Sequence, residues 1–436
     1  MKKLGKYTAL LICLLILFVF FKGFYRSENI KLNDNKLSYY IRYKGLYDAK
    51  AFALDENGNY YIAYKDKIQF IDLNGKSYDL FVDKNLNINS LEYYKGKLYF
   101  ASSTKIISYD LAKKEQKVII NDLPNYGDYK ESQIRIFGEE LYVTIGTTTN
   151  SGVVGQDNKW LQENPFYFDL TPKNISLKGI IFGNEKTGAF VPYKTKNSKG
   201  QLILSHLPGN GTVITYNLKS GNMENFAWGI RNIKGMGFNS EGKLIASVGG
   251  IENRGLRPLS GDVDYIYEIK KGLWYGWPDY SGGDPVSSPR FKSENKGKME
   301  FLLDNHPSSN PPAPIYQHKS LSALSVLTID TKAQVGEKDC IYFLDSRDNM
   351  LYALSKENVL SEKSKFNIDS NISGIRIINK SILVLDSKAG YLYSLQNTNY
   401  SNIFKIDKSM IYYFIFIIFI SITIIVWKFS ESSKKQ

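Results

Sequence analysis

Leu91-Glu92-Tyr93-Tyr94-Lys95-Gly96-Lys97-Leu98-Tyr99-Phe100 joins an apolar alternation, a turn and a second strand-like run. The phrase returns along the chain. An earlier copy is Ala53-Leu54-Asp55-Glu56-Asn57-Gly58-Asn59-Tyr60-Tyr61-Ile62, and a later one runs from Ile134 through Gly138 to Val143. Further copies span Met236 to Ile245, Leu324 to Leu344 in a weaker form, and Ile375 to Val384. Most are followed by another short strand, such as Ile106-Ile107-Ser108-Tyr109-Asp110 or Tyr265-Ile266-Tyr267-Glu268. Copies recur about every 40 residues where nothing intervenes, the period of one four-stranded propeller blade. Strands this short need radial stacking to protect their edges. The pattern predicts an all-β fold, a six-bladed β-propeller over residues 36–398.

Two stretches break the period. Residues 147–211 carry mixed polar and aromatic sequence and read as long loops on blade three. Residues 250–316 hold eight of the thirteen prolines. Propellers gather such insertions on one face, around the channel mouth, where sites form.

The two ends predict the compartment. Tyr7 to Phe21 is a run of 15 uncharged, mostly apolar residues behind Lys2, Lys3 and Lys6. Residues 1–26 thus read as a signal anchor or a signal peptide. The anchor is preferred because no small-residue cleavage site follows. Cys13 does not suit a lipoprotein signal, since the apolar run continues for eight residues after it. Met410 to Trp427 gives 18 residues without a charge, long enough to span a membrane, with Tyr412, Tyr413 and Trp427 suited to its interfaces. Residues 428–436 form a basic tail. Positive charge outside both runs predicts two transmembrane helices, both termini cytoplasmic, and the propeller on the extracytoplasmic side of the cell membrane.

Composition excludes several classes. The 436 residues carry 56 Lys and Arg against 43 Asp and Glu, but residues 22–409 hold 50 against 42. With no basic block interleaved with aromatics, nucleic-acid binding is not supported. Two cysteines cannot make a disulfide framework, and three histidines leave little room for a multi-histidine metal site. Asp55-Glu56-Asn57-Gly58 reads as a plain turn, since its calcium-loop spacing is incomplete.

One region is more specific. Trp228-Gly229-Ile230-Arg231-Asn232 leads to Gly235-Met236-Gly237 and Gly249-Gly250, then to Trp274-Tyr275-Gly276-Trp277-Pro278-Asp279-Tyr280-Ser281-Gly282-Gly283. Here the chain resembles the glucose/sorbosone dehydrogenase family, six-bladed propellers that bind pyrroloquinoline quinone (PQQ) and calcium. The resemblance implies that Arg231 and Asn232 contact the quinone. It also implies that backbone carbonyls of Gly249, Gly250 and Ile251 hold calcium. The reaction implied is oxidation of a sugar hydroxyl, with electrons passed to a membrane acceptor.

Two departures oppose catalysis. The family's base histidine falls at Lys130, eight residues before Gly138, and a lysine at its ordinary pKa is protonated at neutral pH and cannot abstract a proton. The aspartate expected after Ile145-Gly146 is Thr147. His318 matches a family histidine of a later loop and reads as structural or rim-lining.

Two readings follow: a PQQ-dependent sugar dehydrogenase using Lys130 as an unusual catalytic group, or a propeller without redox chemistry that binds a glycan, envelope polymer or protein partner. The cleft beside Arg231 discriminates them. An open one favours the enzyme, and one filled by Lys130 and the 147–211 loops favours the binder. A bland role for Arg231 is a pair with Asp262 or Asp264, and Trp277, Pro278 and Tyr280 could simply pack a loop between blades.

Overall fold

The computed structural model describes residues 30–292 and 298–398. Six of their sheets, of four or five strands each, are blades arranged as a propeller, and three two-stranded sheets lie in the insertions. Blade 1 comprises strands Ala51–Leu54, Tyr60–Ala63, Lys67–Ile71 and Ser77–Val82; blade 2 comprises Ile88–Tyr94, Lys97–Ser102, Lys105–Asp110 and Glu115–Ile120. Blade 3 uses Ile134–Phe137, Glu140–Ile145, Thr212–Asn217 and Met223–Trp228. Blade 4 uses Ile233–Phe238, Leu244–Val248, Tyr265–Ile269 and the short Tyr316–Gln317. Blade 5 runs through Leu324–Asp330, Cys340–Asp345, Met350–Leu354 and Leu360–Phe366, and blade 6 through Ile372–Ile378, Ser381–Asp386 and Tyr391–Asn397. The first strand of each blade neighbours the first strand of the next, and blade 6 returns to blade 1.

Each repeat found in the sequence is the inner hairpin of one blade. In blade 2 the turn falls at Lys95 and Gly96, with φ of 48° and 76°, between the paired Tyr94 and Lys97. Two successive positive φ values give the hairpin a twist matching its strands, which favours glycine there.

Closure is made by the start of the chain. Leu37–Lys44 is the outermost strand of blade 6, paired with Tyr391–Asn397 from Leu37 opposite Asn397 to Lys44 opposite Tyr391. Ile30–Leu32 adds a fifth strand to blade 5 against Phe366 to Ser364.

The core is layered between blades. Phe100 and Ile107 of blade 2 pack with Tyr61 and Ile68 of blade 1, and the opposite face of blade 2 packs with Ile134 and Val143 of blade 3. Equivalent layers fill the remaining four junctions. Second strands are therefore covered on both faces, as in Cys340–Asp345 and Ser381–Asp386, where every residue is buried. This explains the continuous apolar runs in the sequence, where one-sided burial would give strict alternation.

The two long insertions are not loose loops. Phe190, Ile175 and Leu177 of the first pack with Trp274, Trp277, Val286 and Leu302 of the second, and with Ile251 and Leu259, in a core of their own. Leu177 bridges to Leu303, and the amide of Asp304 donates to the carbonyl of Ser176 at 2.8 Å. The result is a cap built from blades 3 and 4.

No helix among the described residues is long and apolar enough to cross a membrane. The apolar runs at 7–21 and 410–427 lie outside the described residues.

Candidate functional site under the cap

Arg231 follows the last strand of blade 3 and lies where the cap meets the blades. Its side chain is 4% exposed. Nε donates to the carbonyl of Asn150 at 3.2 Å and Nη2 to Oδ1 of Asn150 at 2.9 Å. Nη2 also pairs with Oε1 of Glu252 at 3.1 Å and donates to the hydroxyl of Tyr129, whose ring lies 4.2 Å from the guanidinium carbon. The expected partners Asp262 and Asp264 act only through their fields; the direct ion pair is with Glu252. Burial lowers the Arg231 pKa to about 10 against the opposing pull of Glu252, while nearby Arg254 adds repulsion.

Arg254 extends the network outward. Its Nη2 meets Asp128 at 2.6 Å and Tyr129 Oη at 2.9 Å, Nη1 meets Asp157 at 2.5 Å, and Nε meets Glu252. Burial opposes its charge, but Glu252 and Asp128 more than compensate and raise its pKa. Burial also pushes Asp157 up, partly countered by Arg254. At Glu252 burial is outweighed by Arg231 and Arg254, which hold its carboxyl low. Two guanidinium groups thus face three carboxylates: Arg254 engages all three of its nitrogens, and Arg231 its Nε and Nη2.

Asn150 organises this arrangement. Beyond Arg231, its Nδ2 donates to the carbonyls of Glu252 at 2.7 Å and Arg254 at 3.2 Å, and its Oδ1 accepts the Glu252 amide at 2.9 Å. Its carbonyl also accepts the Trp277 indole N–H at 3.1 Å. The preceding turn is fixed by Asp169, which accepts the Thr148 amide at 2.6 Å and the Thr149 hydroxyl at 2.5 Å. Thr147 donates its hydroxyl to the Thr149 carbonyl at 2.7 Å. Its position serves the turn.

The loop implied for calcium turns its amides inward. Gly250 N donates to Asp264 at 3.2 Å and Ile251 N to Asp262 at 2.6 Å. An added Cβ at Gly250 would lie 2.1 Å from the Val263 carbonyl oxygen, so only glycine fits this approach. Asp264 also accepts the amides of Ser322, Ala323 and Leu324, and Asp262 takes the Tyr265 hydroxyl at 2.5 Å. Burial raises the Asp262 pKa against these bonds.

The Trp277–Gly283 segment packs the cap. Trp277 and Tyr280 lie in its core. Asp279, wholly buried, pairs with Arg257 at 2.9 Å, contacts His306 Nε2 at 3.0 Å and accepts the Leu302 and Leu303 amides at 2.8 Å each. His318 is buried between Tyr316 and Asp345, a structural position. Asp55 accepts the Asn57 and Asn59 amides at 3.0 and 2.9 Å, an ordinary turn.

The expected residues are thus distributed unequally. Arg231, Asn232 and Gly249 to Ile251 lie together under the cap, whereas Lys130 is exposed beside it. The residue that closes the cleft over Arg231 is Tyr129, with Asn150 and Glu252, and not Lys130. None of these three carries a motif. Tyr129 and Asn150 sit in non-repeating sequence, where only proximity in space gives them meaning.

These residues do not fit PQQ. The cofactor presents an ortho-quinone and three carboxylates, and needs unengaged cations and a slot of its own size. On the side of Arg231 away from Tyr129, the void ringed by Gly229, Gly249, Tyr267, Trp277 and Tyr280 measures about 20 Å³. Cofactor pockets run to roughly 300 Å³ or more. The loop expected to hold calcium gains no side-chain ligand here. Among the described residues no group of three His, Cys, Asp or Glu side chains could hold a metal, and Asp262 and Asp264 are committed to amides and a phenol. Three carbonyls alone fall short of the roughly six to eight oxygens calcium takes.

No protein-family model and no curated protein matches the sequence. Solved structures do match. The holo form of a pyranose dehydrogenase PQQ domain from Coprinopsis cinerea aligns with a TM-score of 0.58 at 10% identity, covering 85% of this chain and 98% of that one. A calcium structure of a family AA12 carbohydrate-active enzyme from Trichoderma reesei gives 0.57 at 11%, covering 85% and 100%. The PQQ-bound aldose sugar dehydrogenase of Streptomyces coelicolor gives 0.50 at 14%, covering 83% and 99%. The chain has the propeller fold of PQQ-dependent sugar dehydrogenases; at these identities the likeness reaches the fold alone.

Proposed function

We propose that this protein is a non-catalytic binding propeller, held at the cell membrane by its apolar end segments and displayed outside it, that uses the capped face to bind a glycan or related envelope polymer. The observation that carries the loss of catalysis is the engagement of Arg231 by Tyr129, Asn150 and Glu252. A quinone contact requires that guanidinium to be available. The exposed position of Lys130, outside the buried network around Arg231, supports the same reading.

The glycan reading is supported by the rim of the site. Asp128 accepts the Trp160 indole N–H at 2.9 Å, Tyr126 and Tyr167 stack with centroids 4.0 Å apart, and Phe166 is 78% exposed. Aromatic faces beside fixed carboxylates and a guanidinium suit polyhydroxylated ligands, which offer apolar C–H faces and hydroxyl donors together.

The test uses the full chain in detergent, supplied with PQQ, calcium, an electron-accepting dye and a panel of aldoses, beside Lys130→His. Both proteins are expected to be silent. The native chain is expected to be retained on envelope polysaccharide, and Phe166→Ala with Trp160→Ala to weaken that retention. Dye reduction by the native chain would overturn the proposal.

A further inference from the structure

The central channel, lined by the innermost strands of all six blades, carries unbalanced charge. Arg135 on blade 3 and Arg376 on blade 6 converge on Glu92 of blade 2. One oxygen, Oε1 of Glu92, accepts Nη1 of Arg135 at 2.9 Å and Nη2 of Arg376 at 2.8 Å. Both guanidinium groups are fixed further: Nε of Arg135 donates to the Met236 carbonyl at 3.0 Å, and Nε of Arg376 to that of Phe52 at 2.8 Å. Side-chain exposures are 19%, 20% and 11% for Arg135, Arg376 and Glu92, so water screens the charges only in part.

Two cations therefore share one carboxylate. Lys234 adds a third positive group to the wall of the adjoining cavity, and no Asp or Glu lines it. Burial, with added repulsion from Arg376, lowers the Arg135 pKa to about 10 against the pull of Glu92. Donors remain free. Nη2 of Arg135 makes no hydrogen bond among the described residues, and Nη1 of Arg376 has only a 3.4 Å contact to Glu92. Asn89, whose Oδ1 is buried there without a partner, would present its amide N–H₂ if turned over. The cavity measures about 30 Å³, room for one small ion or water.

We propose that the channel binds a small monovalent anion of halide size beside Arg135 and Arg376. One such charge neutralises the surplus that Glu92 leaves, and the cavity has room for an ion of that size. The site is separate from the cap and independent of the glycan reading.

The test is a bromide-soaked crystal of the full chain, read by anomalous scattering, with a salt series in solution. A bromide peak in the channel next to the two guanidinium groups is expected. In solution, chloride or bromide at about tenfold above its Kd should raise Tm by about 2 °C over gluconate at equal ionic strength. Arg135→Gln should abolish that difference. If that variant fails to fold, the peak in the unaltered protein still decides. Absence of a channel peak overturns the proposal, even where halide raises Tm, because the ion then acts elsewhere.

Discussion

Asn150 is one residue on which several segments depend. It holds Arg231, the Glu252–Arg254 backbone and the Trp277 indole together. Truncation leaves a buried guanidinium short of acceptors, and removing a partner of a buried charge costs far more than losing an exposed hydrogen bond. Asn150→Ala is expected to lower unfolding stability by about 3 kcal/mol, read from urea denaturation. Asp169, one turn away, predicts a pH dependence. Burial outweighs its three hydrogen bonds and pushes its pKa up to about 7 from 3.8. Between those values the folded state holds a proton that the unfolded state has lost, so this group's contribution to stability falls as pH rises from about 4 to 7. Thermal melts across that range should show a shallower decline in Asp169→Asn than in the native chain.

At the level of elements, the inner hairpins were legible because each repeats the same local chemistry: apolar strand, turn, apolar strand. Ile134 to Val143 could be placed in a blade without knowing its neighbours. The closing strand could not. Leu37–Lys44 pairs with a segment more than 340 residues away, and no local pattern records that partner. The cap was illegible for a related reason, since its core joins Phe190 to Trp277 across two insertions that carry no period. At the site, the Gly229–Asn232 and Trp274–Gly283 phrases were readable, but the side chains that engage Arg231 were not. Deleting residues 30–44 should expose Tyr391–Asn397 as an unpaired edge. The expected outcome is aggregation on size-exclusion chromatography, with the soluble fraction reduced several-fold.

Across the whole molecule, a shared frame has been filled differently. The blades and their closure match solved propellers that include PQQ-bound sugar dehydrogenases, while the cleft under this cap is occupied by the chain's own Tyr129, Asn150 and Glu252. On the proposed reading, stability and the absence of PQQ binding have one structural origin, because the bonds that fix the cap on the blades are those that close over Arg231. The most direct measurement is an equilibrium titration of the full chain with PQQ in the presence of calcium, followed by tryptophan fluorescence. Trp274 and Trp277 lie close enough to the site to report occupancy. The account predicts no saturable binding. Saturable binding at one PQQ per chain, lost in Arg231→Ala, would contradict it.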